Sequence, residues 1–503
     1  MQELSLPRPA IGGMPAYRLA SNVRCHIRDD GILLIRLFPL KSIRLKKIWK
    51  PVVDLIQSDG EISFDQIRAF VPEAAGRDID RFFNGLVRKG FLERRGSLPL
   101  AHHPFVSIII PVHNRPDEIK ACLGAFKTLD YPKERYEIIV VDDASSDHTP
   151  QMIETFNHVK AVFLKHNRQA AFCRNLAAQK ARGDILAFID SDCICSPQWL
   201  KELIPAFNDP LVTAVGGKID SFYTASGLDQ YEAVKSSLII GNRERQSKPS
   251  DQMFYVPSCN LLVKKDVFLQ AKGFNDRLYV GEDVDLCLRL QDAGHRIEFR
   301  PEGRIYHKHR NRLAAFCKRR FEYGTSEPLL QTLHENRPKQ LYLPPAGVLF
   351  WAVLLAGLIS VSVPFLLSGL GIAVLLALFQ AFSSRRNPKA HPDIPAISYL
   401  QAVVRSHAAL FYHLGAMVSR YYLIPGVILA FFFPAAALVT LLLHLMCGLT
   451  EHRLKQASFG GVLFIFYYTL EQVSYQAGVW FGCARYRNWR AVNPKLMFKK
   501  DRP

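Results

Sequence analysis

Two carboxylates, Asp190 and Asp192, stand one residue apart at the end of an apolar run, Asp184-Ile-Leu-Ala-Phe-Ile-Asp190. On an extended backbone, side chains two apart point to one side. Two ionised carboxylates held close repel, and one is driven to take up a proton unless a cation sits between them. Oxygen ligands suit Mg²⁺ or Mn²⁺, which also hold substrate phosphates and waters. The pair therefore reads as half of a site for a metal-bound diphosphate. The structural alternative is a carboxylate capping the helix that begins near Pro197.

Other segments carry compatible chemistry. Glu282, Asp283 and Asp285 open a helix expected over 283–293. Acids in a first turn favour the helix dipole. A carboxylate there that faces a pocket can also take a proton from an attacking hydroxyl. In Arg304-Ile-Tyr-His-Lys-His309, either His307 or His309 can complete a metal site, although a single histidine is more often structural. Cys193-Ile-Cys195 lacks a second ligand pair at zinc-finger spacing, so no cysteine metal site is expected.

Strands must deliver these groups. Apolar runs at 106–111, 136–141, 159–164 and 185–189, each followed by a helical or turn-rich stretch, predict an open, mostly parallel sheet. Ligands of such sheets bind beyond the carboxyl ends of the strands. Three ends are polar: His113 and Asn114, Asp142 and Asp143, and the Asp190–Asp192 pair. Parallel strands would place all three on one edge.

The 503 residues exceed one ordinary domain. Residues 16–98 hold a strand at 31–38 and three short helices, the pattern of a winged-helix module. Residues 104–335 carry the strand-and-helix rhythm. Residues 341–483 hold four apolar runs, at 346–367, 370–382, 421–447 and 459–483, the first two joined by a turn at Ser368-Gly369. Arg385, Arg386 and Lys389 follow the turn, and 484–503 is a basic tail. The positive-inside bias puts both on the cytosolic side and predicts about four spans. Residues 396–420, with Arg405, His407, His413 and Arg420, fit an interfacial amphipathic helix. Glu471 and Gln472 inside the last run are expected to face other helices or a polar pocket. The N-terminus has no apolar signal core, so the ten cysteines are expected to be reduced thiols. A multi-pass inner-membrane protein with a cytosolic catalytic domain is the resulting expectation. The net charge of +19 fits anionic lipid or nucleotide partners.

IIIPVHNR, IIVVDDASSD, HNRQAAFCRN, FIDSDC and VGEDVDLCLRL, in that order, resemble a family 2 glycosyltransferase of the GT-A fold over about residues 104–325. Arg319-Arg-Phe-Glu-Tyr-Gly-Thr-Ser326 and the N-terminal module resemble the mycofactocin-system glycosyltransferases, whose N-terminal part is similar to a PqqD-type peptide chaperone. The resemblance implies an α/β GT-A fold: a Rossmann-like mixed sheet with a winged-helix-like N-terminal domain and a C-terminal helical membrane region. It implies inverting transfer of a hexose, glucose first, from a UDP-sugar to a peptide-derived or glycan acceptor, with membrane lipids as further partners. Carried over by position, Val112 and Asn114 would lie in the first nucleotide loop. Asp142 or Asp143 would accept from uracil or ribose, and Arg174 would face the nucleotide. Asp190 would touch ribose or sugar. Asp192 and His307 would bind Mg²⁺ or Mn²⁺. Asp283 would be the base, and Glu282 would place the acceptor. Asn167-Arg-Gln169 departs from the pattern, with glutamine where relatives often carry glycine.

Two other classes compete. A processive polysaccharide synthase would carry a Q-x-x-R-W acceptor motif; Lys318-Arg-Arg-Phe321 stands nearby instead. A DNA-binding regulator would use the helix expected over 78–91, where Asp78 and Asp80 interrupt Arg77, Arg81, Arg88 and Lys89. Mixed charge tracks phosphates poorly, so no nucleic-acid partner is expected.

Overall fold

The computed structural model describes residues 15–37, 39–70, 76–96, 100, 102–248, 253–359, 363–386 and 394–498. The basic positions Lys389, Lys499, Lys500 and Arg502 lie outside these residues, as do the side chains of Arg77, Asp78 and Asp80.

The first strands are β1 (Ala16–Leu19), β2 (Val23–Arg28), β3 (Gly31–Leu37), β4 (Leu40–Leu45), β5 (Ile62–Ser63) and β6 (Leu92–Arg95). They form two antiparallel three-stranded sheets, β5-β1-β6 and the meander β2-β3-β4. Helices Lys50–Asp59, Phe64–Ala69 and Gly76–Arg88 accompany them. Ser63 and Gln66 cap the second helix reciprocally, which fixes its start. Tyr17, Ile32, Val53, Phe64, Phe83 and Leu86 close one core between sheets and helices.

This module is clamped to the rest of the chain. Arg88 Nε donates to Glu244 Oε1 at 2.9 Å, and the same guanidinium pairs with Glu298. Arg94 meets Glu244 at 3.1 Å. Glu244 and Glu298 are buried, so the basic end of the 76–88 helix is committed to internal ion pairs. It is not a free phosphate-tracking surface.

The central sheet follows: β7 (Val106–Val112), β8 (Tyr136–Asp142), β9 (Val159–Phe163), β10 (Ile185–Ile189), β11 (Cys193–Cys195), β12 (Val212–Ser221), β13 (Arg245–Gln246), β14 (Asn260–Lys264) and β15 (Arg296–His307). The order is β11-β15-β12-β14-β10-β7-β8-β9, with β13 pairing β15. β10, β7, β8 and β9 run parallel, whereas β14 is antiparallel to both β10 and β12. The sheet is therefore mixed, less parallel than the strand-and-helix rhythm of its first half predicts. Both faces are covered. Ile108, Ile110, Val140 and Ile189 pack with Ile119, Leu123 and Trp199 on one side. Ile109, Val141 and Phe188 pack with Cys173, Phe268 and Leu286 on the other. Two-sided burial is why these strands read as unbroken apolar runs.

The C-terminal part is helical. Helix Leu313–Leu333 leads from the sheet, and Gly461–Tyr486 lies along it. The two backbones nearly touch: a side chain at Gly324 would collide with the carbonyl of Tyr475, and one at Gly478 with that of Phe321. Small residues at such crossings permit this approach. Between them come Pro345–Ile359, Val363–Arg385, Ala396–Met417 and Pro434–Leu454. Strands β16 (Gln340–Tyr342) and β17 (Lys495–Met497) pair in parallel, so residues at the start of the basic tail return to the entrance of this region.

Two expectations change here. Ser368-Gly369 is no turn: both residues lie inside Val363–Arg385, where Ser368 Oγ donates to the Pro364 carbonyl at 2.8 Å. Serine can satisfy its hydroxyl within a helix in this way. Among the described residues, Val363–Arg385 alone is long and apolar enough to cross a membrane, so four spans and a multi-pass topology are not supported. Pro345–Ile359 has only fifteen residues, short of the ~20 needed. Gly461–Tyr486 buries Glu471, Gln472 and Gln476 against protein. Ala396–Met417 turns Tyr399, Val403, His407 and Leu410 inward along one stripe, as the amphipathic reading requires.

Candidate active site

Register places the three polar strand ends side by side. Val112 pairs with Asp142, and Phe188 with Ile109, so β7, β8 and β10 end on one edge. A cavity of about 790 Å³ opens beyond that edge. Val112, Asp143, Arg174, Asp190, Asp192, Glu282, Asp283 and His307 all line it.

Asp143 organises the first loop. Its Oδ1 accepts from Arg168 N at 2.6 Å and its Oδ2 from Gln169 N at 2.8 Å. Gln169 has φ 70°, the left-handed region where glycine is ordinarily favoured. The Asp143 carboxylate therefore holds a backbone that the glutamine itself disfavours. Asn114 and Asp142 turn away from the cavity. Asn114 Oδ1 accepts from Ser146 N at 2.8 Å, and Asp142 Oδ2 from Ser145 N at 3.1 Å. Both brace the 143–146 turn. Asp142 Oδ1 is buried with no partner.

Arg174 is the hub of the floor. It is buried on helix Gln169–Lys180, with one nitrogen 2.5 Å from Asp190 Oδ1 and another 2.9 Å from Glu282 Oε1. This guanidinium joins the end of β10 to the helix Glu282–Asp292. Ser258 Oγ lies 3.4 Å from the same Glu282 oxygen.

Asp283 has a different environment. Val284 N donates to its Oδ1 at 2.8 Å and Ser258 N to its Oδ2 at 3.2 Å. Burial, reinforced by neighbouring Glu282, pushes its carboxyl up to about 7 despite those two donors and Arg174. A carboxylate poised near neutrality in a cleft suits general-base work. Asp285 points elsewhere, pairing with His334 at 3.0 Å and with Arg289.

Asp192 and His307 face each other, Asp192 Oδ1 lying 3.5 Å from His307 Nε2. Arg115 occupies the other Asp192 oxygen. Burial alone would raise the Asp192 carboxyl, but His307 and Arg115 outweigh it and hold the group below the usual carboxylate range. One oxygen and one imidazole nitrogen at this separation match a hard divalent cation that keeps waters and substrate oxygens. Cys193 Sγ lies within the same group. Its thiol, pushed up by burial and by Cys259, stays protonated. His309 stands behind His307, the two Nδ1 atoms 3.2 Å apart. Burial, then His307 and Arg320, lower His309 to about 3, so it is neutral.

The sequence reading gave several of these partners no role. Arg115 and Arg320 stand inside IIIPVHNR and Arg319–Ser326 without being singled out, and Glu232, Tyr255 and Ser258 reach the cavity from loops and helices without a recognisable spacing. Glu471 faces a polar interior as expected, accepting from Tyr231 Oη at 2.5 Å and lying 3.7 Å from Arg320.

Residues 107–270 match the model of a family described as Glycosyl transferase family 2. Over 406 residues, 78% of this chain and 83% of the relative, the sequence is 26% identical to a pre-mycofactocin glycosyltransferase of Mycobacterium tuberculosis. Over 202 residues, 39% of this chain and 64% of the relative, it is 32% identical to glycosyltransferase AglE of Haloferax volcanii. Among solved structures, the mannosyltransferase PcManGT of Pyrobaculum calidifontis, with GDP-Man and Mn²⁺, aligns at 18% identity and a TM-score of 0.37. That alignment covers 66% of this chain and 95% of the mannosyltransferase.

Proposed function

We propose that this chain, which carries a family 2 glycosyltransferase domain and resembles the mycofactocin glycosyltransferases, moves a hexose from a nucleotide sugar to an acceptor hydroxyl with inversion. The observation that carries the reading is the convergence of Arg174, Asp190, Asp192, Glu282, Asp283 and His307 on one cavity beyond the parallel strand ends. The favoured donor is UDP-glucose, on the family resemblance alone, and the favoured acceptor is a peptide-derived molecule of the mycofactocin type, a choice guided by the name of the pre-mycofactocin relative.

In this mechanism the 143–146 turn and the loop through Gln169 cradle the base and ribose. Arg174 keeps Asp190 and Glu282 in fixed places around the sugar. Asp192 and His307 would hold Mg²⁺ or Mn²⁺, which neutralises charge on a departing diphosphate when bound. Asp283 takes the acceptor proton as the hydroxyl oxygen bonds to the anomeric carbon and the bond to the diphosphate breaks. Glu282, tied to Arg174 and Ser258, positions that acceptor.

Membrane association is part of the proposal. Val363–Arg385 is apolar, and Phe365, Leu375 and Phe379 on it are exposed, as are Phe431, Phe432 and Phe433 before the next long helix. Exposed apolar surface on this scale calls for lipid or a partner.

A donor screen with the purified full chain tests the reading. UDP- and GDP-sugars with Mn²⁺ or Mg²⁺ should show metal-dependent nucleotide release from a UDP-hexose. The acceptor should gain one or a few hexose masses. Release from no nucleotide sugar would remove the proposal, and a high polymer would favour a processive synthase.

A further inference from the structure

Helix Val363–Arg385 is long and apolar enough to cross a bilayer, but its packing holds one end outside the hydrocarbon. Gly369, Ala373, Ala377 and Ala381 recur every four residues and form one buried stripe. Ala377 and Ala381 share a core with Leu33 and Ile35 of β3 and with Tyr399 and Val403 of helix Ala396–Met417. Phe350 of helix Pro345–Ile359 packs against the same core and stacks on the His407 ring, with centroids 4.3 Å apart. Trp351 Nε1 donates to the His407 carbonyl at 3.0 Å. Two apolar helices that lie along each other are thus fastened at one level to the N-terminal module.

That level cannot lie in hydrocarbon. β3 is the middle strand of a three-stranded open sheet, and the outer strands β2 and β4 expose Arg24, Arg28, Lys41 and Arg44. Lipid-facing sheet edges do not occur among acyl chains, and charged side chains are costly there. Ala377 and Phe350 therefore sit at or outside the headgroups. What projects beyond them is short. Residues 352–359 reach about 12 Å and residues 363–376 about 21 Å, at about 1.5 Å per residue. The hydrocarbon core is about 30 Å thick, so neither arm reaches its far side.

The exposed surface of the longer arm suits acyl chains. Val363, Phe365, Leu367, Leu370, Ile372 and Leu375 are exposed, and at helical spacing they spread over more than half of the circumference. A protein partner covers one face; lipid surrounds. No charged residue stands between Lys339 and Arg385, whereas Arg385 and Arg386 are exposed at the base of the arm. Basic residues at that level complement anionic headgroups.

We propose that residues 352–359 and 363–376 form a monotopic anchor, which dips into the acyl chains of the leaflet facing the catalytic sheet and does not emerge on the other side. The inference deepens the membrane association proposed above and is independent of the transfer chemistry.

The test inserts the full chain carrying Val363→Cys into preformed vesicles of phosphatidylcholine and phosphatidylglycerol, so that the catalytic domain stays outside. A thiol fluorophore then reports on position 363. Wild type labelled in parallel gives the background from Cys25 and Cys317, which are only partly buried. Val363 is exposed, so its replacement leaves the packing intact. Flotation with the vesicles reports association. Fluorescence at 363 should be lost with lipids that carry a nitroxide on the acyl chain and kept with iodide, outside or trapped inside. The same label on Ser384→Cys, at the exposed base, should be lost with outside iodide. Quenching at 363 by trapped iodide would show a crossing, and quenching by outside iodide an arm left in water. Protection from iodide without lipid quenching would assign a protein cover, such as a second copy. Each of these three results overturns the anchor while association stands. A wild-type chain that fails to float removes membrane association, and the anchor with it.

Discussion

His307 and His309 meet Nδ1 to Nδ1 at 3.2 Å, so one ring must donate and the other accept. Only when His307 donates is its Nε2 free of hydrogen, and Nε2 is the atom that faces Asp192 at 3.5 Å. The tautomer of His309, whose Nδ1 also lies 3.4 Å from Glu232 Oε2, thus decides whether His307 Nε2 can ligate a cation. Supporting groups of this kind change metal affinity by about 10–100-fold when removed. His309→Phe should weaken Mn²⁺ binding by that order, measured by titrating the full chain with Mn²⁺ alone. Unchanged affinity would mean that His307 needs no such support.

Asp283 should give the pH profile its acid limb. The base must be ionised to accept a proton, and its carboxyl sits at about 7. Turnover should therefore fall as pH drops below about 7, with donor binding little affected. Asp283→Asn should lose on the order of 10²–10⁴ in turnover, the usual worth of a general base, while retaining UDP-sugar binding.

The same shift carries a stability signature. The folded-state value lies above that of an unfolded aspartate, so the folded protein holds this proton more tightly. Its stabilising effect is present at low pH and is lost as pH rises through about 7. Any advantage in Tm of Asp283→Asn over wild type should be larger at pH 8 than at pH 5. A difference independent of pH would place the ionisation elsewhere.

Gln169 pays for its left-handed φ of 70° with the Asp143 contact to its N–H. Gln169→Gly should be neutral or stabilising by up to about 1 kcal/mol, because glycine adopts this region freely but loses more entropy on folding. Gln169→Val should raise the donor KM, since a β-branched residue fits this region poorly. Differential scanning calorimetry and donor kinetics read the two effects.

Breaking the clamp between the N-terminal module and the catalytic sheet should be severe. Arg88→Ala leaves Glu244 and Glu298 buried and short of one cation. Loss of one partner of a buried pair costs about 3–5 kcal/mol. Urea unfolding should show that loss, and limited proteolysis should cut sooner near residues 96–104. An unchanged profile would make the ion cluster incidental.

Much of the sheet edge was legible because buried strands write themselves as apolar runs whose polar ends stand out. Asp143, Asp190 and Asp192 reach the cavity for that reason, whereas Arg174, Glu282 and Asp283 come to it on helices and His307 at the end of β15. Asn114 and Asp142 looked equivalent to their neighbours, yet local turn hydrogen bonds claim both. Arg420 read as the polar face of an amphipathic helix. One extra residue in the π turn alters the phase of that face, and a single insertion leaves no trace in periodicity. Ser368-Gly369 read as a hairpin because glycine and serine mark turns, whereas the helix simply runs through them. Arg115 has no spacing that ties it to Asp192, 77 residues away; only the fold joins them.

The most direct measurement is UDP affinity with and without Mn²⁺, in wild type and in Asp192→Asn. If acidic groups and His307 gather around a metal-held sugar nucleotide, Mn²⁺ should tighten UDP about tenfold or more in wild type and little in the variant. Equal UDP binding in chelator-treated and Mn²⁺-loaded wild type would contradict that arrangement.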